Sequence, residues 1–267
     1  MSPFRRSLRF TSLTAIAIAP LTAMALPAMA AAPAAAAIAA PMVQAPMHQV
    51  GHGSTPFFIS HGGGVRNATT TSDNWSGYAA NGSTYTSVST TFKQPTVNCA
   101  KGSGYSSFWV GLDGYSSDSV EQTGTEADCS GGRASYSAWY EMYPAYPVTY
   151  SNTVKPGDTI TETVSESSNS YTMTIKDTTQ GWTKTTTKKE SGLARSSAEV
   201  IAEAPYDNGV LPLDDFGTVS FSNSTVNGST LSSSNPTGIN MVSDAGKAEA
   251  TISALSGGSF SITWNSL

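Results

Sequence analysis

The stretch Ser197–Pro205, SAEVIAEAP, decides the fold. Its Ser, Ala and Glu content favours a helix, yet it also reads as a strand. Period two then puts Glu199, Ile201 and Glu203 on one face, and Ala198, Val200 and Ala202 on the other. The small apolar face packs in a core. The face with two carboxylates must meet water or a polar cleft. We read it as a strand.

Neighbouring stretches repeat the alternation. It is visible in STYTSVSTTF (Ser83–Phe92), YSAWYEMYP (Tyr136–Pro144), TITETVS (Thr159–Ser165), YTMTIKD (Tyr171–Asp177), GTVSFSNSTV (Gly217–Val226) and SFSITW (Ser259–Trp264). Turn signals separate these runs: KPGD at Lys155, TTQG at Thr178, VNGS at Val226 and SGG at Ser256. No segment reads as a helix of three turns. Many short strands at regular spacing predict an all-β fold, an antiparallel sandwich or barrel rather than a βαβ fold.

The first part of the 267-residue chain has another texture. Residues 1–30 read as a secretory signal: Arg5, Arg6 and Arg9, then a mostly apolar run, then AMA at Ala28–Ala30. Pro20 and Pro27 interrupt that run, and it falls short of the ~20 apolar residues a membrane span needs. Residues 31–72, rich in Ala, Pro, Gly and Thr, read as a pro-segment or linker. One folded domain is expected over residues 73–267, in a secreted protein with no membrane partner once the signal is removed.

All 19 acidic residues lie at Asp73 or later, against 10 of the 14 basic ones, so this domain carries 10 − 19 = −9. That balance excludes a phosphate-neutralising nucleic-acid surface. Cys99 and Cys129 are expected to form one disulfide in an exported chain. A metal site is not expected from two cysteines without a nearby histidine. His48, His52 and His61 all precede Asp73. A domain without histidine has no base for a Ser-His-Asp or Cys-His arrangement. Any catalysis must therefore use carboxylates, amides, hydroxyls or lysine.

Four stretches carry those groups: SSFWVGLDG (Ser106–Gly114), EQTGTE (Glu121–Glu126), SAWYEMYP (Ser137–Pro144) and SAEVIAEAP. Trp109 and Asp113 share a strand face, with Gly111 leaving room between them. Trp139, Glu141 and Tyr143 share another, and aromatics flanking an acid suit an extended ligand. Taken with NWSGY at Asn74, the motifs WVGLDG, QTG, WYEMYP and AEVIAE stand in the order and spacing of the glutamic peptidases of the eqolisin type, which the whole of residues 74–267 resembles. The resemblance implies an antiparallel β-sandwich of two curved sheets (concanavalin- or jelly-roll-like), a secreted acid-acting endopeptidase with a pro-segment, and no cofactor. It implies a catalytic dyad of Gln122 and Glu203. Candidate substrate-binding residues are Trp75, Trp109, Asp113, Glu126, Trp139, Glu141 and Tyr143. Protein and peptide substrates and a monomeric enzyme are expected. Met142, Glu126 and Val200 depart from the family's pattern at positions expected to bear on substrate preference and pH optimum.

The dyad makes chemical sense. Glu203 can take a proton from water and return one to the leaving amine. Gln122 can donate to the developing oxyanion, and its amide does not titrate in acid. On this order, activity is expected to fall once Glu203 is protonated in the free enzyme. Two other readings use the same residues: a glycoside hydrolase with Glu141 and Glu203 as paired carboxylates, and a non-catalytic sugar- or peptide-binding module with Trp109 and Trp139 as stacking platforms.

Overall fold

The computed structural model describes residues 68–266 except residue 208. The expected signal and all but the end of the expected linker lie outside the described residues. Sixteen strands follow in chain order: β1 (Thr69–Ser72), β2 (Trp75–Asn81), β3 (Ser87–Lys93), β4 (Gly104–Leu112), β5 (Val120–Ser130), β6 (Arg133–Tyr143), β7 (Val148–Tyr150), β8 (Thr159–Ser167), β9 (Ser170–Asp177), β10 (Trp182–Lys189), β11 (Ser197–Glu203), β12 (Thr218–Val226), β13 (Ser229–Thr230), β14 (Thr237–Val242), β15 (Ala248–Ile252) and β16 (Phe260–Trp264). Two short 3₁₀ turns, Cys99–Lys101 and Leu231–Ser234, are the helical elements among the described residues. SAEVIAE is thus a strand.

β1 falls in the stretch assigned to the linker. It pairs in parallel with β14, so folded structure starts a few residues before Asp73. TTTS is β-branched and polar, which suits an edge addition to a sheet.

The strands form one continuous path, β10-β9-β8-β3-β12-β16-β15-β14-β2-β11-β4-β5-β6-β7, antiparallel throughout. The path turns back on itself, giving two packed layers. The main core lies between them. Phe108, Val110, Leu112, Ala198 and Val200 from one layer meet Phe92, Ile160, Val164, Met173, Ile175 and Phe221 from the other. The Phe92 and Phe108 rings approach to 6.0 Å across it. Cys99 and Cys129 form the expected disulfide, which ties the loop after β3 to the end of β5.

Each strand of the β2-β11-β4-β5-β6 layer divides its residues between two environments, as the pleat requires. Ala80, Ala198, Val110 and Ala138 face the main core. Trp75, Ala79, Ile201, Trp109, Val120 and Trp139 belong to a second apolar cluster on the opposite face, joined by Ile239 of β14. The acid-bearing face of β11 therefore packs against aromatic rings. Glu199 is 0% and Glu203 1% exposed, so neither carboxyl lies open to bulk water.

Candidate active site

Register places the nominated side chains. One cross-strand row runs Ala79–Glu199–Gly111–Gln122–Glu141. The next runs Gly77–Ile201–Trp109–Gly124–Trp139, and the third Trp75–Glu203–Ser107–Glu126–Ser137. Directly paired residues point to the same side of a sheet. Four stretches far apart in sequence thus deliver Gln122, Glu203, Trp75, Trp109, Glu126, Trp139 and Glu141 to one face. Tyr143, paired with Val120, extends that face along β6.

Two glycines make room in the middle of the face. A Cβ on Gly124 would lie 2.5 Å from the Phe108 carbonyl, 2.6 Å from the Trp109 Cβ and 2.9 Å from the Trp139 ring. A Cβ on Gly111 would lie 2.9 Å from the Trp109 ring. The tryptophans fill these gaps and form a floor: Trp109 and Trp139 are fully buried and Trp75 nearly so. The rings of Trp75 and Trp109 meet edge to face at 5.0 Å. They are the base of the site, not exposed stacking walls.

The Trp109 ring also carries a donor from the second row into the third. Its Nε1 donates to Glu203 Oε2 at 2.8 Å. Asn74 Nδ2 donates to Glu203 Oε1 at 3.1 Å, and the Trp75 side chain adds a further hydrogen bond. Burial pushes the Glu203 carboxyl up to about 8 against the pull of these three donors. Glu203 thus holds its proton in acid. Asn74 was legible only as part of NWSGY; its role follows from Ala204 N donating to the Asn74 carbonyl at 2.9 Å, which closes the end of β11 on the start of β2.

Gln122 lies opposite Glu141 in the β5–β6 pair, and its Nε2 donates to Glu141 Oε2 at 2.5 Å. Burial pushes the Glu141 carboxyl well up; the Gln122 bond pulls it back and the charge of Glu203 adds to the rise. The charge of Glu203 adds in the same way to the rise of Glu126.

Asp113 points elsewhere. Its carboxylate accepts from the backbone N–H of Arg195 and of Ser196, each at 2.7 Å, and from the Ser117 and Ser196 hydroxyls at 3.2 Å. With φ of 68° it turns the chain at the end of β4 and ties that turn to the approach to β11. Glu199 lies in the first row, separated from Gln122 by Gly111; burial and then the charges of Asp113 and Glu121 push it well up. Asp128, not singled out in the sequence, shares the face and hydrogen-bonds Glu126; period two from Glu126 would have found it.

Two of the departures from the family's pattern fall on the other face. Val200 is in the main core and Met142 packs against it. Neither lines the site; of the three, Glu126 does.

A buried amide and carboxyls lie over a tryptophan floor on one face of an all-β sandwich, with no histidine among the described residues. Comparison with known proteins agrees. Residues 73–264 match the Peptidase A4 family. Aspergillopepsin-2 of Aspergillus niger is 32% identical over 222 residues, covering 72% of this chain and 78% of that protein. Scytalidopepsin B of Scytalidium lignicola is 34% identical over 140 residues, 50% of this chain and 52% of that protein. Among solved structures, scytalido-glutamic peptidase with a transition state analog inhibitor matches with a TM-score of 0.64 at 28% identity, over 72% of this chain and 98% of that one. Aspergilloglutamic peptidase from Aspergillus niger matches with a TM-score of 0.54 at 31% identity, over 61% and 99%. The chain belongs to the Peptidase A4 family, and so is a glutamic peptidase, a hydrolase acting on peptide bonds. That assignment displaces the glycoside hydrolase and binding-module readings.

Proposed function

We propose that this protein is a secreted, acid-acting endopeptidase that cleaves protein substrates with Gln122 and Glu203. The observation that carries the reading is the convergence of the Trp109, Asn74 and Trp75 side chains on a Glu203 carboxyl that lies on the same face as Gln122. Such donors stabilise the carboxylate that forms when the proton leaves, and a strongly perturbed acid in an enclosed site is a candidate functional group.

The raised pKa sets the order of the proton transfers. In acid Glu203 starts as the neutral carboxyl, so protonation of the free enzyme arms it. This reverses the expectation drawn from the base-first order. As a water oxygen bonds to the scissile carbon, the Glu203 proton passes to the carbonyl oxygen. A water proton then returns to the Glu203 carboxylate, leaving a gem-diol. In collapse, Glu203 gives its proton to the leaving nitrogen, the C–N bond breaks, and a diol proton joins the amine, so that in acid the products leave as a carboxylic acid and an ammonium and Glu203 is left as a carboxylate. An amide NH2 carries two donors. Glu141 takes one from Gln122 and holds the amide in place. The other meets the developing oxyanion.

Of the nominated substrate contacts Tyr143, half-buried, is the one that reaches the rim; Glu141 lies beneath it next to Gln122, and Glu126 lies in the row of Glu203. Trp75, Trp109 and Trp139 shape the cleft from below, and Asp113 holds its end together.

The test is cleavage of an unfolded protein by the secreted protein across acidic to neutral pH, with Glu203→Gln and Gln122→Ala alongside. Loss of cleavage in both variants with the fold intact supports the dyad. Survival of cleavage in either removes that residue from it.

A further inference from the structure

Glu203 is 1% exposed, so every proton it exchanges with solvent crosses protein. Its row leads outward. Ser107 of β4 pairs with Glu203 on one side and with Glu126 of β5 on the other. Directly opposed residues keep their Cβ atoms about 4.5–5.5 Å apart, so Ser107 stands between Glu203 and Glu126 in the row. It is fully buried, and its oxygen has no hydrogen-bond partner among the described residues. A serine hydroxyl both donates and accepts. Glu126 in turn hydrogen-bonds Asp128, two residues along the same face. Exposure grows along this line: Ser107 is 0% and Glu126 8% exposed, Asp128 is half-buried, and Ser130 is open to solvent.

We propose that Ser107, Glu126 and Asp128 form a proton relay between Glu203 and solvent. The proposal rests on the reading of Glu203 as the proton carrier. An α-amine titrates at ~8, so a product amine released in acid leaves as an ammonium and takes the Glu203 proton with it. The relay then refills the site. The Glu126 carboxyl gives its proton to the Ser107 oxygen while the Ser107 proton passes to the Glu203 carboxylate. Serine ends neutral, Glu203 is a carboxyl again, and Glu126 regains a proton from Asp128 and Asp128 from solvent.

The surroundings suit the task. Glu203 is faced by Asn74, Trp75, Ser107 and Trp109, and lies in the field of Glu141, Asp73 and Glu126. Glu126 is faced by Ser107 and, from β6, Ser137. Asp128 is faced by Tyr105 and Ser135, with Asp214 near. Arg133, at the exposed hairpin end, is the nearest cation on this face by register. Among the described residues no cation faces Glu126 in the register; burial and then the charge of Asp128 push Glu126 well up, and burial and then the charge of Asp214 push Asp128 to about 7.

The purified enzyme is followed through first and later turnovers by rapid mixing with a chromogenic peptide. Ser107→Ala keeps the first-turnover rate, because Glu203 starts charged with its proton. It then settles to a steady state at least about tenfold slower than wild type. Glu126→Gln lowers steady-state kcat likewise, Glu126→Asp restores it, and higher buffer concentration speeds the slow variants. Equal loss in the first and later turnovers of Ser107→Ala would assign Ser107 to positioning and overturn the relay. Unchanged steady states overturn it too, as does a Glu126→Asp variant as slow as Glu126→Gln. The dyad fails separately: peptidase activity retained by Glu203→Gln refutes it whatever the Ser107 variant does.

Discussion

The indole of Trp109 donates from Nε1 to Glu203 Oε2 at 2.8 Å, although the two residues lie 94 positions apart. A tryptophan at that place, its ring accommodated by Gly111 and Gly124, reaches from the middle row to the carboxyl. Trp109→Phe keeps most of the ring and removes the donor. A hydrogen bond to a charged group contributes ~1.5–3 kcal/mol. Steady-state assays should show kcat lowered by about 10- to 100-fold with little change in KM, and thermal melts should show a smaller loss of stability than Trp109→Ala.

Gln122 donates from Nε2 to Glu141 Oε2, so the two are expected to act as a unit. Removing one oxyanion donor costs roughly 10²–10³ in rate, which is the loss expected for Gln122→Ala. Glu141→Ala leaves the amide in place without its acceptor, so a smaller fall in kcat is expected. The double variant should lose little more than Gln122→Ala alone. Full additivity in a double-mutant cycle would show that the two work independently.

Gly124 tests the floor. Gly124→Ala drives a methyl into the Phe108 carbonyl, the Trp109 Cβ and the Trp139 ring. Overpacking of this kind costs ~1–3 kcal/mol, and the shift of Trp109 should also lower kcat. Gly131 has a φ of 58° and nothing within 4 Å of a built Cβ, so Gly131→Ala should cost some stability without touching kcat. Denaturant titration and kinetics on both variants separate the effects.

Buried acids tie stability to pH. Glu162 of β8 is fully buried, and neither carboxyl oxygen has a hydrogen-bond partner among the described residues. Burial holds it protonated well above its ordinary value of 4.5. Glu121 is pushed to about 8 by burial and then by the charge of Asp113. The unfolded chain ionises these groups near 4.5. Above that pH the folded state therefore binds more protons than the unfolded one, and stability falls as pH rises through the folded values. Melting temperature should drop steadily between about pH 5 and 8, and Glu162→Gln should flatten part of that slope. An identical slope in the variant would show that Glu162 ionises without strain.

The disulfide closes a loop of 30 residues between Cys99 and Cys129. Loop entropy puts its contribution at ~3–4 kcal/mol. Cys129 sits on β5, which also carries Gln122 and Glu126. Reduction in mild denaturant should lower the unfolding midpoint, and hydrogen exchange should rise first along β4 and β5.

The sequence by itself determined the strands and the two faces of each. Period two in SAEVIAE already separates Glu199 and Glu203 from Ala198, Val200 and Ala202, and the same rule groups Trp139, Glu141 and Tyr143. What it could not show was which faces are covered, because burial depends on a partner layer that no local pattern names. The acid face of β11 looked bound for water, yet the tryptophans of β2, β4 and β6 close over it, and burial raises the Glu203 carboxyl to about 8. Asp113 illustrates the same limit: alternation put it with Trp109, but the turn at the end of β4 gave its carboxylate to the backbone of Arg195 and Ser196. Tertiary structure alone decided the strand order β2-β11-β4-β5-β6 and its register. Those long-range pairings set Ser107 between Glu203 and Glu126, since hydrogen-bonded ladders join strands by their backbones and bring together side chains that the chain keeps far apart.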